Sequence, residues 1–142
     1  MMTNKFSFLL GVLGTLLALS VVGCGGGPAL NEVSGKVTVD GAPPPVALEI
    51  MFHPVDNKGH TVGMGSSIVG TDGKYQIYYP GVKAGVPAGE YTVSIDVVPD
   101  AEMSDGKAPP RIPERYNSQT ELKATVKPGK NEDVNFEISL KR

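Results

Sequence analysis

The chain is poor in the residues that mark several common classes of protein. It contains one cysteine, Cys24, which excludes an intramolecular disulfide framework. It has no run of Lys or Arg, and its acidic residues outnumber its basic residues by 15 to 13, so we expect no nucleic-acid partner. No segment after Cys24 has the apolar periodicity of a helix. Gly (18) and Pro (12) are abundant instead, which is typical of a turn-rich chain.

The first 23 residues have the three parts of a secretory signal peptide. Lys5 supplies a positive charge, the segment Phe6–Val22 contains no charged residue, and the small residue Gly23 follows. A transmembrane helix is the alternative. The apolar run has about 17 residues, which is the short limit for spanning a bilayer. Because Thr15 and Ser20 weaken it further, we favour cleavage.

A cysteine directly after the cleavage site makes this segment resemble a bacterial lipoprotein signal. The resemblance implies that Cys24 becomes the first residue and carries a diacylglyceryl group on its thiol, usually with a further acyl chain on its amine. Each buried methylene contributes about 0.8 kcal/mol, so two or three chains anchor a protein firmly. We therefore expect a signal peptide at 1–23, a lipidated, Gly-rich tether at 24–31 and a folded domain at 32–142.

Within the domain, apolar and polar residues alternate with period two, as in half-buried strands. The turn sequences Asp40-Gly41, Thr71-Asp72-Gly73 and Pro128-Gly129 separate some of these segments. The alternating sets begin at Val33, Val46, Val62, Tyr75, Tyr91, Leu122 and Val134. Seven short strands in about 110 residues predict an all-β fold, a seven-stranded antiparallel β-sandwich of the transthyretin-like or immunoglobulin-like kind.

The alternation also predicts which side chains face solvent. Val37 and Phe136 belong to the core sets of the first and last strands, so Lys36 and Asn135 should point outward. This argues against the intramolecular Lys–Asn bond of bacterial adhesin repeats, which needs both residues on the inner face. In the third segment the predicted set is Val62, Met64, Ser66 and Ile68, and its glycines suggest a bulge or a close backbone approach.

Three segments resemble carboxypeptidase regulatory-like, or transthyretin-like, sandwich domains: Val33–Gly41, Gly70–Tyr75 and Pro87–Ile95. The stretches Ile112–Ser118 and Glu121–Val126 are similar to small lipoproteins abundant in planctomycete bacteria. The resemblance, of which these segments are the clearest parts, covers nearly all of the mature chain. The resemblance implies a β-sandwich and a non-catalytic module, but it does not identify a ligand.

The candidates for chemistry are few. His53, Asp56 and His60 are weak candidates for a metal site, because their spacing matches no strong metal motif. No serine lies in a Gly-x-Ser-x-Gly turn, and no triad can be assembled from the sequence. We therefore expect no enzymatic activity, no metal and no cofactor.

The segment Pro99–Thr120 is the best candidate for partner binding. It combines prolines, which stiffen a loop, with Arg111, Arg115 and Tyr116, and Arg and Tyr are the residue types enriched at interface anchors. We expect Ile112 and Tyr116 to pack against the sandwich. Whether the two arginines bind a partner or hold the loop stays open.

These observations predict a lipid-anchored, non-enzymatic binding or structural module of the bacterial envelope, facing the periplasm or the cell surface. Its ligand would be a protein or a glycan. The alternative is an accessory enzyme or metal-delivery module that uses the loop from His53 to His60.

Changing Cys24→Ser tests the anchor. The thiol that accepts the lipid is lost, so we expect the protein to leave the detergent fraction or to accumulate as an uncleaved precursor. Phase partitioning and intact mass measure both. A variant that is still cleaved after Gly23 and still partitions into detergent would contradict the lipoprotein hypothesis.

Overall fold

The computed structural model describes residues 27–55, 63–80 and 83–141, which form nine short strands and one 3-10 turn. The strands are β1 (Ser34–Val39), β2 (Leu48–Pro54), β3 (Gly65–Val69), β4 (Lys74–Gln76), β5 (Tyr78–Tyr79), β6 (Lys83–Ala84), β7 (Gly89–Val97), β8 (Lys123–Val126) and β9 (Phe136–Ile138). The 3-10 turn is Glu114–Tyr116. Cys24 and the signal sequence lie outside the described residues. Within those residues, no helix is long and apolar enough to cross a membrane.

The strands form two sheets, and the predicted all-β sandwich is confirmed. The larger sheet has the order β6-β5-β3-β2-β7-β8, and the smaller has the order β4-β1-β9. The predicted strand at Tyr75–Tyr79 is divided between them: β4 pairs with β1, whereas β5 pairs with β3. This division and the additional short strand β6 give nine strands instead of the predicted seven.

The pairing of β1 with β9 is parallel, so the prediction of a wholly antiparallel fold is wrong at this point. Val37 pairs with Phe136, and Val39 pairs with Ile138. The cause is the path of the chain. β8 runs antiparallel to β7, and after the turn at Pro128-Gly129 the chain crosses to the smaller sheet and runs in the direction of β1.

The core follows the predicted alternation in β1, β2, β7, β8 and β9. The buried side chains of these strands include Val37, Val39, Leu48, Ile50, Phe52, Tyr91, Val93, Ile95, Ala124, Val126, Phe136 and Ile138. Side chains from both inner faces meet in one apolar layer, as sandwich packing requires. The outward positions of Lys36 and Asn135 are confirmed, since both residues are exposed.

The predicted alternation of β3 is wrong. Its inward residues are Gly65 and Val69, whereas Ile68 is 56% exposed. A β-carbon on Gly65 would lie 2.3 Å from a methyl carbon of Val86 and 2.5 Å from one of Ile77. Only glycine fits this inward position, which confirms the close backbone approach expected here and reverses the facing of the strand.

The strands define two ends of the sandwich, which we name the tether end and the far end. The tether end holds Asn31, Gly89 and Val126, which the bridge Asn31–Val86 and the pair Gly89–Val126 bring together. The far end holds the opposite strand termini, with Val97 beside Leu48 and Val39 beside Ile138. The segment Pro99–Thr120 therefore leaves from the far end.

The substitution Phe136→Ala should lower the free energy of unfolding by about 3–5 kcal/mol, because it opens a cavity among the core aromatic rings. Glu137→Ala is the matched control, since the neighbouring side chain is exposed, and its cost should stay within about 0.5 kcal/mol. Urea denaturation measures both. Equal losses at the two positions would contradict the described facing of β9.

Candidate functional site

The loop Pro99–Thr120 is held against the sandwich by its apolar residues. Ile112 is 3% exposed and belongs to the core, while Tyr116 is half-buried and packs against it. The hydroxyl of Thr120 donates to the carbonyl of Val93 and returns the chain to the larger sheet. The expected packing of Ile112 and Tyr116 is thereby confirmed.

Arg115 and Tyr116 bind the chain that follows β9. Nη2 of Arg115 donates to the carbonyl oxygens of Ser139 at 3.0 Å and Lys141 at 2.7 Å. The backbone N–H of Ser139 donates to the Tyr116 hydroxyl at 3.1 Å, and the guanidinium carbon of Arg115 lies 4.9 Å from the Tyr116 ring centre. The pKa of the Tyr116 phenol is lowered. The larger cause is the hydrogen bond from the Arg115 side chain, and the second is the Ser139 N–H. Arg115 is thus a structural residue of this end.

Arg111 has a different environment, although it lies only four residues away. Its side chain is exposed, and it makes no hydrogen bond or ion pair with any residue that the structure describes. It lines a groove of about 530 Å³ together with Ile112, Pro113, Glu114, Arg115 and Leu140. We call this the far-end groove. Its lining combines a guanidinium that pairs with no described residue, a guanidinium fixed by carbonyls, the carboxylate of Glu114 and an apolar wall.

His53 lies on the outer face of the larger sheet, and its Nε2 is 2.9 Å from the hydroxyl oxygen of Ser94. The sequence did not suggest this pair. It depends on the register of β2 against β7, which sets Met51 opposite Ser94 and His53 opposite Thr92. Among the described residues, no third side chain hydrogen-bonds the imidazole, so the pair lacks the orienting group of a catalytic triad.

The metal candidates are not brought together within the described residues. Asp56 and His60 lie outside those residues, which leaves His53 as the one candidate with a known position. In the part of the chain that the structure describes, no group of three His, Cys, Asp or Glu side chains is arranged to hold a metal ion. The metal hypothesis stays a prediction.

A second groove, of about 470 Å³, lies on the outer face of the larger sheet near the tether end. Its lining is Met51, Met64, Gly65, Ser66, Tyr78, Tyr79 and Pro80. The sequence did not single out this surface, because Tyr78 belongs to the outward set of a strand whose partners were unknown. It is rich in aromatic and thioether groups, and none of its described lining residues is charged.

The Lys36–Asn135 pair has a structural role that the sequence did not indicate. The side-chain oxygen of Asn135 accepts the backbone N–H of Lys36 at 2.8 Å. This bond joins β1 to the chain just before β9, where the parallel ladder begins. Asn135 therefore contributes to the pairing of the terminal strands.

Comparison of this chain with protein-family models, with curated proteins and with solved structures finds no match.

The two arginines should differ in their effect on stability. Arg115→Ala removes two hydrogen bonds from a charged donor and a cation–π contact, so we expect a loss of about 1–3 kcal/mol in the free energy of unfolding. Arg111→Ala should change it by less than about 0.5 kcal/mol. Chemical denaturation of the two single variants measures the difference. Similar losses would contradict the structural assignment of Arg115.

Proposed function

We propose that this protein is a lipid-anchored, non-enzymatic β-sandwich of the bacterial envelope that binds a partner in its far-end groove. The lipoprotein-like signal ending at Cys24 supports the anchor and the envelope location. The transthyretin-like segments support a binding module, since domains of that kind act without catalysis. The observation that carries the binding half is the environment of Arg111.

Arg111 provides a donor group that no described residue engages, on a surface whose shape is already fixed. Its guanidinium presents five N–H donors in a fixed plane, which matches the two oxygens of a carboxylate. The groove behind it is held in shape by Ile112 in the core and by Arg115 bound to Ser139 and Lys141. A preformed surface of this kind loses little conformational entropy on binding.

The lining predicts the chemistry of the partner. Pro113 and Leu140 offer an apolar wall beside the guanidinium. The groove also holds the carboxylate of Glu114, which accepts a hydrogen bond from Nε2 of Gln119 at 3.2 Å. An acidic group attached to an apolar or ring-shaped body satisfies both features at once. A protein segment with an acidic side chain, or a glycan with a carboxylate, has this combination.

The test compares two single variants of the full-length, lipidated protein in affinity capture from native envelope extracts. Arg111→Ala should reduce the captured amount of the partner at least about tenfold, because an interface arginine contributes about 2 kcal/mol. Lys107→Ala is the matched control. It removes an equal charge from the same loop, but Lys107 is already paired with Asp105 at 2.8 Å.

Capture that is equal for wild type and both variants would contradict binding in the far-end groove. Capture lost equally in both variants would indicate a general effect of charge. Melting temperatures close to that of the wild type establish that neither substitution unfolds the domain.

A further inference from the structure

The N-terminal segment is fixed to the tether end by a buried asparagine. Asn31 is 8% exposed, and its backbone exchanges two hydrogen bonds with Val86, at 2.8 and 3.0 Å. Its side-chain oxygen accepts the N–H of Gly129 at 2.8 Å, and its amide donates to the carbonyl of Val86 at 3.3 Å. The point where the chain leaves the sandwich is therefore defined by three separate segments.

The chain between this point and the proposed lipid is short. Cys24 and Asn31 are seven residues apart, which corresponds to at most about 25 Å when fully extended. The nine residues of β7 alone, from the tether end to the far end, span about 26 Å. An anchored domain with these dimensions keeps its tether end closer to the bilayer than its far end.

The tether end carries an apolar rim suited to a bilayer surface. Val55 is 56% exposed and Tyr78 is 43% exposed, and Met64, Tyr79 and Pro80 continue the same surface along the second groove. Val55 lies at this end because its N–H donates to the carbonyl of Glu90, beside the start of β7. Tyrosine favours the membrane–water interface, since its ring is apolar and its hydroxyl stays hydrated.

The distribution of charge favours the same orientation. Acidic side chains outnumber basic ones at the far end, where Asp40, Asp72, Asp96, Asp100, Glu102 and Asp105 lie with Lys107, Arg111 and Arg115. At the tether end Lys83, Lys127 and Lys130 lie near Glu32, Glu90, Glu132 and Asp133, so the excess of acidic side chains is smaller there. A bilayer with anionic lipids attracts lysines near its surface and repels carboxylates. Contact through the far end is therefore unfavourable.

We propose that the domain stands on the bilayer with its tether end down, that the rim of Val55, Met64, Tyr78, Tyr79 and Pro80 contacts the lipid interface, and that the far-end groove is directed away from the membrane. This inference rests on the proposed lipid anchor. It adds a second, non-covalent contact with the bilayer and a fixed direction for the binding surface.

The chain contains no tryptophan, so one introduced tryptophan reports a single position. Val55→Trp places it in the rim. Ile68→Trp is the matched control, because Val55 and Ile68 are both aliphatic and both 56% exposed. Ile68 lies in β3, and Val55 directly follows β2 of the same sheet. Ile68 lies towards the far end, next to the pair of Val69 with Leu48.

Each full-length, lipidated variant is reconstituted in vesicles of phosphatidylcholine and phosphatidylglycerol with brominated acyl chains. Brominated chains quench tryptophan by contact. Because interfacial apolar groups enter about 5–10 Å into the headgroup region, we expect quenching of Trp at position 55 to exceed that at position 68 at least about twofold.

Each other outcome overturns the proposal in a distinguishable way. Equal quenching at both positions would mean that the domain lies on its sheet face or tumbles. Quenching at neither position, with the protein still sedimenting with the vesicles, would leave the anchor intact and eliminate the rim contact. A blue shift of the Val55→Trp emission without vesicles, and no quenching with them, would assign the rim to a contact between two copies. Full-length protein that fails to sediment with the vesicles would refute the anchor itself.

Discussion

Contact among four aromatic rings joins the two sheets, and the positions of the surface features depend on it. The ring centre of Phe52 in the larger sheet lies 5.7 Å from that of Tyr91, 6.3 Å from that of Phe136 and 6.5 Å from that of Tyr75. Tyr75 and Phe136 belong to opposite edge strands of the smaller sheet. The chain has only four Phe and five Tyr, so this cluster uses a large share of its aromatic area. Burial raises the pKa of Tyr91 to about 12, and its hydroxyl donates a hydrogen bond to the carbonyl of Pro87 at 2.7 Å.

Strand facing was predictable where large apolar residues alternate with polar ones, and unpredictable where glycine occupies a core position. Val37, Phe52 and Phe136 face inward as their parity indicates, because a one-residue shift would expose a whole apolar set. In β3 the inward residue is Gly65, whose hydrophobicity says nothing about its position. Its role follows from two side chains that fill the space above it, and these belong to Ile77 and Val86, outside its own strand. The parallel pairing of β1 with β9 was also unpredictable, because it joins residues about 100 positions apart and local patterns do not report such contacts.

The residue types of the candidate site could be predicted from the composition of the loop, but the different roles of its two arginines could not. Arg111 and Arg115 stand four residues apart in a segment without periodicity, so the sequence offers no means of telling them apart. Their difference arises from the end of β9, where free carbonyl groups of Ser139 and Lys141 accept the guanidinium of Arg115. The backbone N–H of Ser139 donates its hydrogen bond to the hydroxyl of Tyr116. These side chains also cover the exposed backbone that follows an edge strand, which lowers the tendency of such edges to pair with other molecules.

The parallel pairing of the first and last strands has a mechanical consequence. The chain enters β1 at one end of the sandwich and leaves β9 at the opposite end. A force between the N-terminal segment and the groove beside Leu140 therefore acts along both strands in opposite directions. Their hydrogen bonds are loaded together in shear, so separation requires several of them to break at once instead of one after another. The side-chain bond from Asn135 to the backbone of Lys36 adds to this resistance at the start of the ladder.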